Sequence, residues 1–249
     1  MHFKYLKLAT AALFIFTAGC KKKEGPVGPQ GPGGPAGPAF YGTIAGHIWI
    51  NDPYGSRRYQ DLDGILVKLN DSITTTTDAN GYYIFDSVIT GNYNIQISKT
   101  GYGSTQTGYT GFVKDTLYKN MKMSAKPLFD LNSFKATYNT GSAYDSVFAT
   151  FNTDSRSRAW IVFVSNQPSV SPTNHLLAYV RTIPANTSVS AFRIPAYELN
   201  NAGIFFGEVA YYAACSYVVN DVSMHEDPVS GKAQYTAVGT AITDSAIAP

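Results

Sequence analysis

The chain has 249 residues, a formal net charge of +2 and 14% charged residues. This length holds one or two domains with cores of their own, and a hydrophobic share of 44% excludes wholesale disorder. Two cysteines cannot build a disulfide framework, and 18 Tyr with 22 Gly at low charge lean toward β structure.

The first segment reads as an address. Lys4 and Lys7 precede an eleven-residue apolar run, LATAALFIFTA, at residues 8–18. A membrane-spanning helix needs about 20 apolar residues, so this run is a signal-peptide core. It ends in Thr17-Ala18-Gly19-Cys20. These residues resemble the bacterial lipobox. The resemblance implies cleavage before Cys20 and a diacylglyceryl group on its sulfur, anchoring the chain to a membrane. Lys21 stands where an Asp would imply inner-membrane retention, so the expected location is the outer membrane, on its periplasmic face or at the cell surface.

Residues 25–39 read GPVGPQGPGGPAGPA, five uninterrupted Gly-X-Y triplets with Pro at every X. This is collagen-like, since only Gly fits the axis of a triple helix. Five triplets are few for a triple helix, so a stiff spacer is the favoured reading and a homotrimer the variant. Fifteen residues of polyproline-II reach about 45 Å.

Residues 41–125 alternate in polarity between regularly spaced turns. Ile44, Gly46, Ile48 and Ile50 share one face of a first strand, with His47 and Trp49 on the other. Ile65, Val67 and Leu69 repeat the period of two, and Asp78-Ala79-Asn80-Gly81 is a turn. A Gly91-Asn92 turn precedes Tyr93, Ile95 and Ile97, and residues 115–123 form a last strand. About seven short strands argue for an antiparallel sandwich. The ordered motifs Gly64-Ile65-x-Val67-x-Leu69, Thr76-Thr77-Asp78-x-Asn80-Gly81-Tyr82-x-x-Phe85, Gly91-Asn92-Tyr93-x-Ile95-x-Ile97 and Gly101-Tyr102 resemble the carboxypeptidase regulatory-like domain. That resemblance implies a transthyretin-like, carbohydrate-binding-like sandwich that performs no chemistry itself. Asp78 and Asn80 offer two oxygen ligands where calcium takes about 6–8.

The loop at 51–61, NDPYGSRRYQD, gathers Tyr54, Arg57, Arg58 and Tyr59 at the end of the first strand. Aromatics beside arginines supply stacking and bidentate polar contacts, so these four are the candidate ligand contacts. A loop on a rigid sandwich is also where binding usually resides.

Residues 124–127 read as a short linker to a second unit, 127–249. Its expected strands lie at 134–138, 146–151, 160–164, 176–180, 189–194, 204–219 and 234–242, with a bulge near Gly207-Glu208 and a hairpin tip at 227–231. The apolar run at 160–164 reads as a central buried strand. This unit resembles, faintly, fibronectin type III and other immunoglobulin-like domains. His225-Glu226-Asp227 lacks a second cluster at metal-ligand spacing and reads as part of a polar hairpin. Cys215 sits in an apolar strand and reads as a buried thiol.

The expected fold is therefore all-β: two antiparallel β-sandwich domains in tandem, 41–125 and 127–249, after a signal peptide (1–19) and a lipidated tether and stalk (20–40). There is no Gly-x-Ser-x-Gly elbow, His-Glu-x-x-His, phosphate loop or dinucleotide fingerprint. The expected function is non-catalytic, without metal or cofactor: an envelope lipoprotein presenting sandwiches to a glycan or protein ligand. A structural or accessory subunit of an outer-membrane complex is the alternative, and a hydrolase ranks below it. The net charge locates its own origin. Residues 40–249 hold 14 Lys and Arg against 16 Asp and Glu, a net of −2. The apparent basicity belongs to the signal and tether, which removes the support for nucleic-acid binding.

Overall fold

The opening alternation becomes β1 (Tyr41–Asn51), whose Ile44, Ile48 and Ile50 are fully buried while His47 is exposed and Trp49 half-buried. The computed structural model describes residues 39–138, 141 and 143–249. The expected signal peptide, Cys20 and all of the Gly-X-Y segment but Ala39 lie outside the described residues.

β2 (Arg57–Arg58) pairs with the end of β1. β3 (Leu66–Leu69) and β4 (Ile73–Thr76) form a hairpin. β5 (Tyr82–Ile89) runs antiparallel to β1, and β6 (Gly91–Ser98) and β7 (Thr105–Phe112) extend the β3–β4 pair into a four-stranded sheet. The expected turn at 78–81 forms: Asp78 Oδ1 accepts the amides of Asn80 and Tyr82 at 2.8 and 2.9 Å. Gly81 follows at φ +77°, in the left-handed region that a Cβ disfavours. β5 and β6 belong to different sheets, so the chain changes sheet at Thr90, and Gly91 and Asn92, expected as a turn, instead begin β6, with a register shift before Tyr93.

The expected last strand divides into β8 (Thr116–Tyr118) and β9 (Met121–Ser124). Both pair with β1 in parallel, unlike the remaining ladders of this sandwich. Ile44, Ile50, Ile65, Val67, Leu69, Ile95, Ile97 and Met123 fill the space between the two sheets. Each such side chain contributes about 1.5–3 kcal/mol on burial.

The second sandwich repeats this logic. β10 (Leu131–Tyr138) and β11 (Tyr144–Phe151) pair antiparallel. β12 (Arg158–Ser165) and β13 (Leu177–Ile183) belong to the facing sheet, and β14 (Val189–Pro195) returns to β11. The helix α1 (Ala196–Asn201) and two turns, with Gly203 and Gly207 near φ +81°, precede β15 (Val209–Tyr217). The expected strand at 204–219 is thus shorter at its start. Instead of a bulge, residues 204–208 turn, and Glu208 Oε2 accepts the Phe205 amide at 2.9 Å. β16 (His225–Glu226) and β17 (Ala233–Gln234) make the expected hairpin, and β18 (Ile242–Ile247) joins β15. The strand expected at 234–242 falls between these two, because residues 235–241 cover β12 and β15 instead of pairing along their length.

β12 is buried at all eight positions. Trp160, Val162 and Val164 face the core between the sheets, while Ala159, Ile161 and Phe163 pack beneath Val170, Tyr235 and Val238. Trp160 is the hub, with Phe134, Phe151 and Phe192 edge-on at 6.3, 5.9 and 5.5 Å. Its indole N–H donates to Ser190 Oγ at 3.0 Å, so burying the ring leaves that donor paired.

The residues expected to be a linker are held fast. The Ala125 amide donates to Asn51 O and the Lys126 amide to Gly101 O. Ser124 and Ser223 are fully buried and bonded to each other's segments: the Ser124 amide donates to Ser223 Oγ at 2.5 Å, and the Val222 amide to Ser124 Oγ at 2.9 Å. Thr105 Oγ1 donates to Ser223 O at 2.8 Å, and Gln106 to Asp227 Oδ2 at 3.1 Å. The strap from 219 to 239 thereby lies on the first sandwich, and residues 39–249 form one compact unit.

Candidate binding site

The outer face of β1 carries the site. Because side chains alternate, burying Ile48 and Ile50 turns His47 and Trp49 away from the core. β2 returns beside them through a tight loop in which Asp52 Oδ1 accepts the amides of Tyr54 and Ser56 at 2.8 and 2.9 Å. The Arg57 guanidinium then lies 4.9 Å from the Trp49 ring centre and 5.1 Å from that of Tyr59. Lys122, opposite Trp49 on β9, places its ammonium 5.7 Å from the same indole. Such cation–π contacts contribute about 0.5–1 kcal/mol each at exposed positions and hold the side chains in place.

His47 and Trp49, with Arg57, Tyr59, Asn80 and Asn120, border a cleft of about 280 Å³. The His47 ring packs on Tyr82 at 5.1 Å, and its amide donates to Asn120 Oδ1 at 2.9 Å. Arg58 also borders the cleft but is committed to Asp61 Oδ2 at 3.0 Å. The cleft therefore combines an aromatic platform, two amides and cations on a rigid sheet. That set suits a ligand with both an apolar face and hydrogen-bonding groups.

Of the four candidate contacts, the structure brings together Arg57, Arg58 and Tyr59. Tyr54 points elsewhere. It is half-buried against the second sandwich, where its hydroxyl contacts Asp154 and Arg156 and the Arg156 guanidinium stacks 3.3 Å from its ring centre. Burial, then the Asp154 carboxylate, holds its phenol above the usual value. Reading the loop alone missed Trp49, Asn80, Asn120 and Lys122. The alternation of β1 carried a signal for Trp49, a large aromatic on the face away from the core. No local pattern carried the other three.

The remaining chemistry-bearing groups are used structurally. Asp78 is consumed by its turn. Asp227 Oδ1 accepts the amides of Val229 and Ser230, and His225 Nδ1 lies 2.9 Å from Ser223 O. Among the described residues, no group of three or more His, Cys, Asp and Glu is placed to hold a metal ion. Cys215 is buried, and burial pushes its thiol up to about 12. His175 packs between Phe163 and Tyr235, and burial lowers its pKa.

No family model matches the chain, and no curated protein matches it. Among solved structures, the chain is similar to a protein of Bacteroides uniformis provisionally described as carbohydrate-binding. The two share 14% identity over 82% of this chain and 98% of that one, with a TM-score of 0.32. It is also similar to DUF3823 family proteins. The one from Parabacteroides merdae shows 10% identity over 81% of this chain and 98% of its own, at a TM-score of 0.29. The one from Bacteroides ovatus shows 10% identity over 84% and 99%, at 0.31. At such scores the likeness carries no functional weight, and the site rests on its own geometry.

Proposed function

We propose that this protein is a non-catalytic, lipid-anchored envelope protein whose first sandwich offers the Trp49 cleft to a glycan or protein ligand. The observation that carries the reading is the cleft itself: Trp49 and Tyr59 flank Arg57 on an outer sheet face, with the Asn80 and Asn120 side chains beside them. Anchoring through Cys20, outer-membrane delivery and a Gly-X-Y spacer follow from the sequence motifs. Together they hold the cleft away from a membrane surface, facing the periplasm or the medium.

The test is binding of the full chain to glycan and envelope-protein arrays, compared with Trp49→Ala. Binding that Trp49→Ala weakens about ten-fold or more supports the cleft. Equal binding by both proteins removes it. Protease added to whole cells reads location: shaving places the protein at the surface, and protection places it facing the periplasm.

The reading as an accessory subunit draws on a different feature. Phe205 and Phe206 are 57% and 76% exposed in the turn after α1. Crosslinking in intact membranes that captures a partner through Phe206 would favour it.

A further inference from the structure

The Trp49 cleft does not end at Asn120. The same side chain borders a second depression of about 230 Å³, formed where β7 and β9 meet the strap of the second sandwich. Thr107, Lys119, Lys122, Met224 and His225 line this second part. The two depressions adjoin at Asn120 and together make one path from the outer face of β1 to the sandwich edge at β7, from Tyr59 through Trp49 and Lys122 to His225.

The charge along this path is one-sided. Arg57, Arg58, Lys119 and Lys122 border it, and no Asp or Glu does. Only Arg58 is neutralised, by Asp61; Arg57, Lys119 and Lys122 have no ion-pair partner among the described residues. This happens on a body whose residues 40–249 carry a net −2. Four of its 14 cations, and none of its 16 carboxylates, therefore line a single path. The aromatic rings are interleaved with these cations instead of standing apart from them.

We infer that the path binds an acidic glycan chain, with sugar rings on Trp49 and Tyr59 and the carboxylate or sulfate groups on Arg57, Lys119 and Lys122. The inference rests on the reading of the Trp49 cleft as a binding site and names its ligand class. Rings with one apolar face stack on aromatics, and the spaced anionic groups of such a chain meet spaced cations. A polyphosphate is the less fitting polyanion, because the net-negative body opposes a dense line of charge. Asn80 and Asn120 add amide groups for sugar hydroxyls.

The experiment uses the full chain with Lys21, Lys22 and Lys23 changed to Gln, so that tether charge does not contribute. Binding is measured to polygalacturonate, chondroitin sulfate, neutral dextran and an oligothymidylate. Affinity for one or both acidic glycans, well above that for dextran and the oligonucleotide, is expected. Lys122→Gln and Lys119→Gln should each weaken it about five-fold, Trp49→Ala should weaken it about ten-fold, and Lys114→Gln, outside the path, should leave it unchanged. Polygalacturonate carries carboxylates alone and chondroitin sulfate carries both groups, so tighter binding of the second reports a contribution from sulfate. Equal binding of dextran overturns the acidic ligand while leaving the cleft standing. Equal binding of the oligonucleotide overturns it in favour of a general polyanion surface. Binding that Trp49→Ala weakens but Lys119→Gln and Lys122→Gln do not confines the site to the first cleft. If no glycan binds, the inference falls, and the protein array then decides the cleft separately.

Discussion

Replacing Asp145 by Asn should change how the stability of this protein depends on pH. Asp145 lies on β11, wholly buried, and its Oδ2 accepts a hydrogen bond from the Tyr212 hydroxyl on the facing sheet. Its Oδ1 has no partner among the described residues. Burial pushes the carboxyl up from 3.8 to about 6, against the opposing pull of the Tyr212 bond. The folded state therefore holds this proton more tightly than the unfolded chain does. The stability it contributes is complete below pH 3.8 and is lost as pH rises through about 6. A difference of about two pH units corresponds to about 3 kcal/mol between pH 4 and pH 8. Asp145→Asn stays neutral throughout and escapes the loss. Urea denaturation of both proteins at steps across this range gives the difference directly. Asp221, raised by burial, and His175, lowered by it, titrate in both proteins and cancel in the comparison. A constant offset reports only the changed bond to Tyr212. Two stability curves that run parallel from pH 4 to pH 8 would falsify the assignment of this proton to Asp145.

Other consequences are equally direct. Trp160→Ala removes the hub of the second core and should cost about 3–5 kcal/mol in chemical denaturation; a loss below about 1 kcal/mol would contradict the packing described. Gly55 and Gly101 share φ +82°, but only at Gly55 would a Cβ run into the Val219 carbonyl oxygen; at Gly101 it would meet open space. Gly55→Ala should therefore destabilise more than Gly101→Ala, and equal losses would mean that the loop and strap do not touch. Cys215 should resist a thiol reagent at pH 8 in the folded protein and react fully in urea. Counting thiols in urea also tests the anchor: one per chain fits a modified Cys20, and two exclude it.

Much of the fold was legible because side-chain direction in a strand depends only on its neighbours. The inward set Ile44, Ile48 and Ile50, the turn at Asp78–Gly81 and the doubly buried run at 160–164 each follow from a few consecutive residues. Where chain segments compete for a surface, local reading failed. Residues 204–208 look like a strand by composition, yet they turn, because Gly203 and Gly207 take positive φ and Glu208 caps the Phe205 amide. Residues 235–241 look like a strand for the same reason, yet they serve as a cover over β12.

The candidate site divides along the same line. Sequence alone determined that a loop rich in Arg and Tyr follows β1, that Trp49 faces away from the core, and that the basic charge of the whole chain lies largely in its first 23 residues. Only the tertiary structure decided which of those side chains meet. Tyr54 is drawn to Asp154, 100 residues away, while Asn120 reaches the His47 amide across 73. Lys122 joins the site because β9 pairs in parallel with β1, and His225 because the strap crosses to β7. Strand alternation has a period of two residues and is written locally. Which strand edges pair, and which loops then share a face, is fixed by the burial of both cores together, and no short stretch of sequence contains that information.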